Sequence, residues 1–288
     1  MLLLDDILST SSCLVDHTQV IELTNGLSHQ CFKVITKKHS VFLKIFLNKT
    51  GITKEQWKNQ QEVQIQAAKL GFGPAVIESC YQQGYLVTEF IDGKPLSDSG
   101  LPLIQNLSQA ARVISQCQQL KCSLAEFEPR NIIDYLLKNA ALSLKDKSQI
   151  KYLSNKIIAS LAIDNNRLVV SHGDVNFDNI VIAQQQPWLI DWEYCVLAEP
   201  EFDLGMCLAI NNIDESLHKS FISDFNKNID VLSFSTPIIN THKVTRYYEL
   251  SLIINALWFF DQNIEPSESL ACQSKNQSIK ALERLLQA

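Results

Sequence analysis

The sequence SHGDVNFDNIVI occupies residues 171–182, and the sequence WLIDWE follows it at residues 188–193. A short apolar run just before this stretch predicts a strand that delivers Asp174 into a loop. Asn179 follows five residues after Asp174, where the next apolar run starts, and Asp191 ends the run after that. The spacing therefore predicts a loop and a hairpin that bring Asp174, Asn179 and Asp191 close together.

These three side chains have the chemistry that phosphoryl transfer requires. The reaction needs a carboxylate that orients and deprotonates an alcohol, and oxygen ligands for Mg²⁺ on the phosphates. Asp174 suits the first role, and Asn179 and Asp191 suit the second because Mg²⁺ prefers hard oxygen ligands. Each residue alone would be ordinary in a turn, where Asp and Asn are frequent. The complete pattern, H-G-D-x-x-x-x-N followed by a strand, a turn and I-D-W, predicts instead a phosphotransferase that uses ATP and Mg²⁺.

The rest of the chain divides into a strand-rich part and a helical part. Apolar runs separated by turn signals predict strands with tight connections, and therefore an antiparallel sheet, in the first part. The turn Asp92-Gly-Lys-Pro ends this part, and helical patterns predominate from residue 101 to residue 162 and again from Phe202 onward. The predicted strands cover residues 20–23, 31–35, 41–46, 75–79 and 85–90, and the predicted helix covers residues 54–70.

The order of these elements predicts an α+β fold with two lobes. We expect a nucleotide-binding lobe at residues 1–90 and a catalytic and substrate-binding lobe at residues 91–288. A chain of 288 residues, of which 46% are hydrophobic, is long enough to form two such lobes around a cleft.

Composition and charge exclude several classes of protein. The formal net charge of −6 argues against a nucleic-acid-binding protein, which would carry a basic surface. The longest apolar run, residues 250–260, is too short to span a bilayer. The acidic N-terminus lacks the basic region of a signal peptide. We therefore expect a cytoplasmic protein with no nucleic acid and no membrane among its partners.

Three motifs resemble those of the aminoglycoside phosphotransferase and choline kinase superfamily, the small-molecule relatives of the protein kinases. HGDVNFDN at residues 172–179 resembles the catalytic loop of that family, IDWEY at residues 190–194 resembles its metal-binding segment, and EPEFDLG at residues 199–205 resembles the motif that follows. IDWEY is especially similar to the choline/ethanolamine and bacterial thiamine kinase branches. The resemblance implies a two-lobed protein-kinase-like fold, in which Asp203 braces the catalytic loop rather than touching the substrate.

The resemblance also implies a set of nucleotide contacts in the first lobe. Lys44, in the apolar run at residues 41–46, would bind the ATP phosphates. Its expected partner is a glutamate on the following helix. Glu62 is preferred over Glu55, because Glu55 lies in the first helical turn, where exposed acids are ordinary. The turn that covers the phosphates would include Gly26 and Ser28, and backbone groups of Glu89 and Ile91 at the hinge between the lobes would meet adenine.

The residues after Asp191 and a late aromatic cluster indicate the class of acceptor. Aromatic faces together with carboxylates suit a quaternary ammonium group or another organic cation. We predict substrate contacts from Glu193 and from Trp258, although aromatic residues at helical spacing more often pack in a core. The favoured acceptor is a small, cationic alcohol such as choline or ethanolamine.

Other functions remain open at this point. Thiamine, also a cationic primary alcohol, fits about as well, whereas an aminoglycoside would favour a more acidic and more open pocket. A non-catalytic nucleotide-binding pseudokinase would lack part of the catalytic set, which is complete in this sequence. A protein kinase is disfavoured because the chain has I-D-W in place of D-F-G and lacks A-P-E.

Overall fold

The computed structural model of the protein describes residues 4–23, 29–46, 53–232, 239–261 and 270–287. An antiparallel sheet comes first in the chain and a larger, mainly helical part follows, as the α+β prediction requires. A lysine on the sheet reaches an aspartate of the helical part, so the predicted site lies where the two parts meet.

The N-terminal part is an antiparallel sheet made of β1 (His17–Leu23), β2 (Gln30–Thr36), β3 (Ser40–Ile45), β4 (Val76–Cys80) and β5 (Tyr85–Glu89). The strands lie in the order β1-β2-β3-β5-β4. Side chains alternate across the sheet, so β3 buries Val41 and Leu43 on one face and carries Lys44 on the other. The register places Lys44 between Cys31 and Leu86.

Helix α1 (Leu4–Thr10) covers one face of this sheet and is absent from the sequence-based predictions. Its Ile7 and Leu8 are buried in a cluster with Phe32 and Leu43. The helix has seven residues, which is too short for a helical period to stand out in the sequence. The opposite face of the sheet is the one that carries Lys44.

Helix α2 (Lys54–Lys69) begins and ends at clear local signals. Thr53 accepts a hydrogen bond from the backbone of Gln56, and the Gln56 side chain accepts one from the backbone of Thr53. This capping box stabilises the first turn by about 1 kcal/mol. The helix is followed by Gly71 at a φ of +78°, the left-handed conformation that ends many helices.

Neutral hydrogen bonds attach α2 to the C-terminal part of the chain. Gln66 donates from Nε2 to the carbonyl oxygen of Lys121 at 3.0 Å, and its Oε1 accepts from the Lys121 N–H at 3.2 Å. Just beyond the helix, Gln186 donates from Nε2 to the carbonyl oxygen of Gly71 at 2.7 Å. Neutral amide groups therefore act on α2 beside the apolar packing of Val63 and Ala67 against the C-terminal core.

The C-terminal part consists mainly of α3 (Leu103–Cys117), α4 (Pro129–Asn139), α5 (Leu144–Leu161), α6 (Glu201–Ile210), α7 (His218–Leu232), α8 (Thr241–Asp261) and α9 (Leu270–Gln287). Helix α6 is buried and packs closely against α8. Gly205 permits this approach, because a Cβ atom there would lie 2.5 Å from the backbone nitrogen of Tyr248. The tight packing holds the start of α6 in a fixed position beneath the catalytic loop.

Two small sheets support that loop. In the first, β8 (Ile180–Ala183) lies between β6 (Lys94–Pro95) and β9 (Gln186–Leu189). In the second, β7 (Val169–Ser171) pairs with β10 (Val196–Ala198). The predicted turn at residues 92–95 therefore includes a short strand. Gln184 and Gln185 form the hairpin turn with φ values of +50° and +63°. The sequence at residues 184–187 predicts the turn of this hairpin, but Pro187 belongs to β9, an edge strand where proline is tolerated.

The apolar run at residues 250–260 lies inside α8, which buries Leu250, Ile253 and Leu257 against neighbouring helices. Its hydrophobic character is thus explained by packing in the core. Within the part of the chain that the structure describes, no helix combines the length and the apolar character that a membrane crossing requires.

Candidate active site

The catalytic loop, residues 172–179, fixes Asp174 through two asparagines. Asn176 donates from Nδ2 to both carboxylate oxygens of Asp174 at 3.2 Å. Asn179 donates from Nδ2 to Asp174 Oδ2 at 2.7 Å and to its backbone oxygen at 3.1 Å. Burial, followed by the like charge of Asp191, raises the pKa of Asp174 to about 7. A carboxylate that is held in one orientation with such a pKa can accept a proton from an alcohol.

Asp203, in the first turn of α6, braces the catalytic loop. Its Oδ2 accepts a hydrogen bond from the His172 N–H at 2.7 Å, and its Oδ1 accepts one from the Gly173 N–H at 3.0 Å. Its carboxyl group is fully buried, and this burial raises the pKa of Asp203 to about 6. The predicted bracing role of Asp203 is confirmed by these two contacts.

Asn179 and Asp191 lie on neighbouring segments of the hairpin. The Ile190 N–H donates to the backbone oxygen of Asn179 at 2.9 Å, which ties the end of the catalytic loop to the residue before Asp191. Asp191 has a φ of +66°, and its side chain is 36% exposed to the cleft. An amide oxygen and a carboxylate are thus carried by neighbouring segments, and hard oxygen donors of this kind suit Mg²⁺.

The donor set also indicates how such an ion would be held. In the described residues, no group of three or more His, Cys, Asp and Glu side chains could hold a metal ion. An ion at Asn179 and Asp191 would take its remaining ligands from nucleotide phosphates and water. This is the way in which Mg²⁺ is usually bound in enzymes that transfer phosphoryl groups.

Lys44 lies between two carboxylates of the IDWE segment. Its Nζ is 2.6 Å from Asp191 Oδ1 and 2.6 Å from Glu193 Oε2. Burial alone would lower the pKa of Lys44, but the adjacent carboxylates outweigh burial and hold the pKa above its ordinary value. Burial would likewise raise the pKa of Glu193, but hydrogen bonds from His29 and Lys44 lower it to about 2. Lys44 is therefore a charged group fixed at the cleft.

The predicted pairing of Lys44 with Glu62 is wrong. Glu62 is exposed, and its side chain accepts a hydrogen bond from Gln66 Nε2 at 3.2 Å. The residue of α2 that faces the site is Gln60, whose Nε2 donates to the backbone oxygen of Glu193 at 2.6 Å. Two residues along an α-helix correspond to a rotation of about 200°, so Glu62 points away from the site that Gln60 faces.

Glu193 lies on the side of the site that the N-terminal sheet borders. It was predicted to contact a cationic substrate, but its carboxylate already binds Lys44 and His29 within the chain. His29 and Gln60 were both missed by sequence reasoning. The one signal for Gln60 is its spacing of three residues from Trp57 and four from Gln64, both of which are buried on α2.

Other predicted nucleotide contacts can be followed only in part. Gly26 and Ser28 lie outside the described residues. At the hinge, β5 ends at Glu89, whose N–H donates to the Ala75 carbonyl at 2.8 Å. A cavity of about 370 Å³ borders this segment, and its lining includes Lys33, Glu89, Phe90 and Asp92. Adenine contacts from Glu89 and Ile91 stay a prediction.

The aromatic residues of the late cluster and of the segment after Asp191 fall into two groups. Tyr247 is buried in the core and donates to Glu199 Oε2 at 3.0 Å, so it has a structural role. Trp258 is partly buried and lies near Tyr194, which is 44% exposed. The backbone of Tyr194 packs directly against Gly173, beside Asp174. Tyr194 and Trp258 therefore form an aromatic pair next to the catalytic loop.

His172 makes the protein less stable in mild acid. Its ring is fully buried and 4.9 Å from the Trp192 ring, and burial lowers the pKa of His172 from 6.5 to about 4. Below pH 6.5 the unfolded chain binds a proton that the folded chain does not bind until about pH 4, so stability is lost as the pH falls. We expect this group to lower the free energy of unfolding by about 2 kcal/mol between pH 7.5 and pH 5.

Urea unfolding of the wild-type protein and of His172→Gln at these two pH values measures the effect. Glutamine can still donate to the Ile190 carbonyl, which His172 Nε2 contacts at 3.0 Å, but it does not titrate. The loss of stability on acidification should be about 2 kcal/mol smaller in the variant. Equal losses in the two proteins would contradict the assignment to His172.

Comparisons with known proteins agree with the fold described above. Residues 19–230 match the sequence model of a family described as the phosphotransferase enzyme family. The choline kinase LicA from Streptococcus pneumoniae has a similar structure, with a TM-score of 0.74 and 18% identity over 97% of this chain and 97% of that chain. A choline/ethanolamine kinase family protein from Mesorhizobium loti gives a TM-score of 0.74 and 19% identity over 98% of this chain and 93% of the other.

A spectinomycin phosphotransferase in complex with ADP and spectinomycin is more distant, with a TM-score of 0.60 and 14% identity over 93% of this chain and 91% of that chain. No match is found among curated protein sequences. The structural likenesses confirm the predicted two-lobed kinase-like fold.

Proposed function

Because the chain belongs to the phosphotransferase enzyme family, we propose that it is a kinase that phosphorylates the hydroxyl of a small, cationic alcohol such as choline or ethanolamine, with ATP as donor. The observation that carries this proposal is the catalytic loop, in which two asparagines hold Asp174 beside Asp191. The aromatic pair next to this loop supports the class of acceptor.

Asp174 orients the acceptor and takes its proton. The oxygen of the alcohol forms a bond to the γ-phosphorus, and the bond from that phosphorus to the bridging oxygen of ADP breaks. The proton of the hydroxyl passes to Asp174, whose carboxylate is held by Asn176 and Asn179. Holding the base in one orientation favours the reaction because less freedom is lost on reaching the transition state.

The nucleotide is bound by groups on both sides of the cleft. Lys44 contacts the phosphates, and the proposed hinge contacts are backbone groups of Glu89 and Ile91. Asn179 and Asp191 would hold Mg²⁺, whose positive charge would offset the negative charge of the phosphates. A covering turn that includes Gly26 and Ser28 is part of the same proposal.

Tyr194 and Trp258 provide aromatic faces for the cationic part of the acceptor. A cation over such a face is stabilised by about 0.5–2 kcal/mol, depending on how much water is excluded. The relatives in structure include kinases named for choline and ethanolamine, which supports this acceptor class.

The proposal is tested by measuring ADP release with a panel of alcohols. The panel contains choline, ethanolamine, thiamine, homoserine, methylthioribose and an aminoglycoside, each with ATP and with or without Mg²⁺. We expect Mg²⁺-dependent release with choline or ethanolamine that exceeds release with the uncharged sugar methylthioribose. If ADP is released with thiamine alone, the acceptor is a different member of the class of small cationic alcohols. If ADP is released with the aminoglycoside alone, the proposed class of acceptor is contradicted.

A further inference from the structure

We propose that His29 is a positioning residue, which holds Glu193 so that Glu193 in turn sets where Lys44 meets the phosphates of a nucleoside triphosphate. The inference rests on the proposed function and adds a residue that no sequence motif singled out. Nucleotide binding would then depend on His29, whereas the sequence predicted that a glutamate on α2 would hold Lys44.

The three side chains form a continuous chain of polar contacts. His29 Nε2 is 2.9 Å from Glu193 Oε2, and Lys44 Nζ is 2.6 Å from the same oxygen. A carboxylate can only accept hydrogen bonds, so His29 is the donor in the first contact and Lys44 is the donor in the second. Both donors bind the same oxygen atom. A shift of either donor would therefore move the carboxylate relative to the other donor.

The ring of His29 is fixed by packing. Its side chain is 12% exposed, and its centroid lies 4.7 Å from that of Phe46. Phe46 in turn packs edge-on against Trp57 of α2 at 4.6 Å. A histidine that is clamped in this way presents Nε2 to Glu193 in one orientation. It therefore acts as a rigid support for the carboxylate.

Glu193 needs such a support because its carboxylate is buried. Its side chain is 12% exposed, and an unsupported charge at such a place would be costly. Lys44 alone would hold this carboxylate less firmly, because Asp191 shares the Lys44 ammonium group at 2.6 Å. If Asp191 were to hold a metal ion, Glu193 would be the main carboxylate left to hold Lys44 in place.

The position of His29 links this support to nucleotide binding. His29 is the last residue of the stretch, residues 23–29, for which the phosphate-covering turn is predicted, and β2 begins at the next residue. A contact from this position to Glu193 joins the N-terminal sheet to the metal-binding segment. Through this contact, a residue of the N-terminal part supports the lysine that is proposed to contact the phosphates.

Two substitutions at His29 separate the hydrogen bond from the bulk of the ring. His29→Leu removes the donor, whereas His29→Gln carries an amide nitrogen at about the position of Nε2. Binding of ATP with Mg²⁺ is measured by calorimetry in the absence of any acceptor. We expect His29→Leu to weaken ATP binding about tenfold or more, because a hydrogen bond to a charged group is lost, and we expect His29→Gln to recover most of the affinity.

Steady-state kinetics and a matched control complete the test. The KM for ATP should rise in His29→Leu while the KM for the alcohol changes little. His242→Leu, at an exposed histidine of the C-terminal part, should bind ATP as the wild-type protein does. Equal ATP binding by wild-type protein and His29→Leu would overturn the proposal, and so would a His29→Gln variant as weak as His29→Leu.

A double-mutant cycle tests whether His29 acts through Glu193. In a Glu193→Gln background, His29→Leu should cause little further loss of ATP affinity, since the carboxylate it supports is absent. Full additivity of the two losses of ATP affinity would contradict the proposal. This criterion holds even if one of the single variants folds poorly. Absence of ATP binding in the wild-type protein would instead overturn the proposed function.

Discussion

Replacement of Asp174 by asparagine lowers kcat by about 10²–10⁴-fold in the reaction proposed for this protein, because the variant loses its proton acceptor. Asparagine has nearly the same size as aspartate and keeps one oxygen that can accept from Asn179 Nδ2, the contact that now measures 2.7 Å. The KM for ATP should change far less than kcat, since Lys44 and Asp191 are unaltered. ADP release under saturating ATP and acceptor measures the effect.

Asp178→Asn is the matched control for this substitution. Asp178 is on the same loop but is exposed, and its carboxylate accepts a hydrogen bond from Ser97. The Asp178→Asn variant should retain nearly full turnover, because the Asp178 carboxylate is not among the groups that hold the acceptor. A kcat that is unchanged in Asp174→Asn would refute the role of Asp174 as the base. Equal losses in both variants would indicate a general disturbance of the loop.

The second large effect, on both stability and kcat, is expected from Gly173→Ala, which adds a single methyl group. The residue has a φ of +78°, and a Cβ atom there would lie 2.3 Å from the carbonyl oxygen of Tyr194. The left-handed backbone costs a non-glycine residue about 1–2 kcal/mol, and the forced shift of packed backbone adds about 1–3 kcal/mol. We expect Gly173→Ala to lower the free energy of unfolding by about 2–5 kcal/mol and to lower kcat at least tenfold.

Gly100→Ala separates the two parts of that cost. Gly100 has a similar φ of +72°, but no atom lies within 4 Å of a Cβ built on it. Its alanine variant should lose about 1 kcal/mol of stability through backbone strain and should keep full activity. Urea unfolding and turnover of both variants provide the comparison. Losses in Gly173→Ala that do not exceed those in Gly100→Ala would show that Tyr194 moves aside without cost.

Local patterns in the sequence were sufficient to predict most of the elements near the site. The predicted strand at residues 41–46 corresponds to β3 (Ser40–Ile45), and the predicted helix at residues 54–70 corresponds to α2. The loop and hairpin that bring Asp174, Asn179 and Asp191 near one another follow from short-range spacing. Such features depend on residues close in the chain, which a pattern can report.

Features that depend on three-dimensional packing escaped the patterns. The hairpin turn uses Gln184 and Gln185 at positive φ, where Asn-Gly or Asp-Gly would have been the usual signal. The choice between Gln60 and Glu62 depends on how α2 is rotated about its axis, and tertiary packing sets that rotation. The contact between His29 and Glu193 spans 164 positions of sequence, and no local period reports it.

The glutamine-based attachment of α2 has a consequence for how the protein responds to salt. Gln66 holds Lys121 through two bonds, and Gln60 reaches the backbone of Glu193. Neutral bonds of this kind are little affected by ionic strength, and they offer no charge for an added phosphate group to attract or repel. We therefore expect these contacts of α2 to persist with little change from low to high salt.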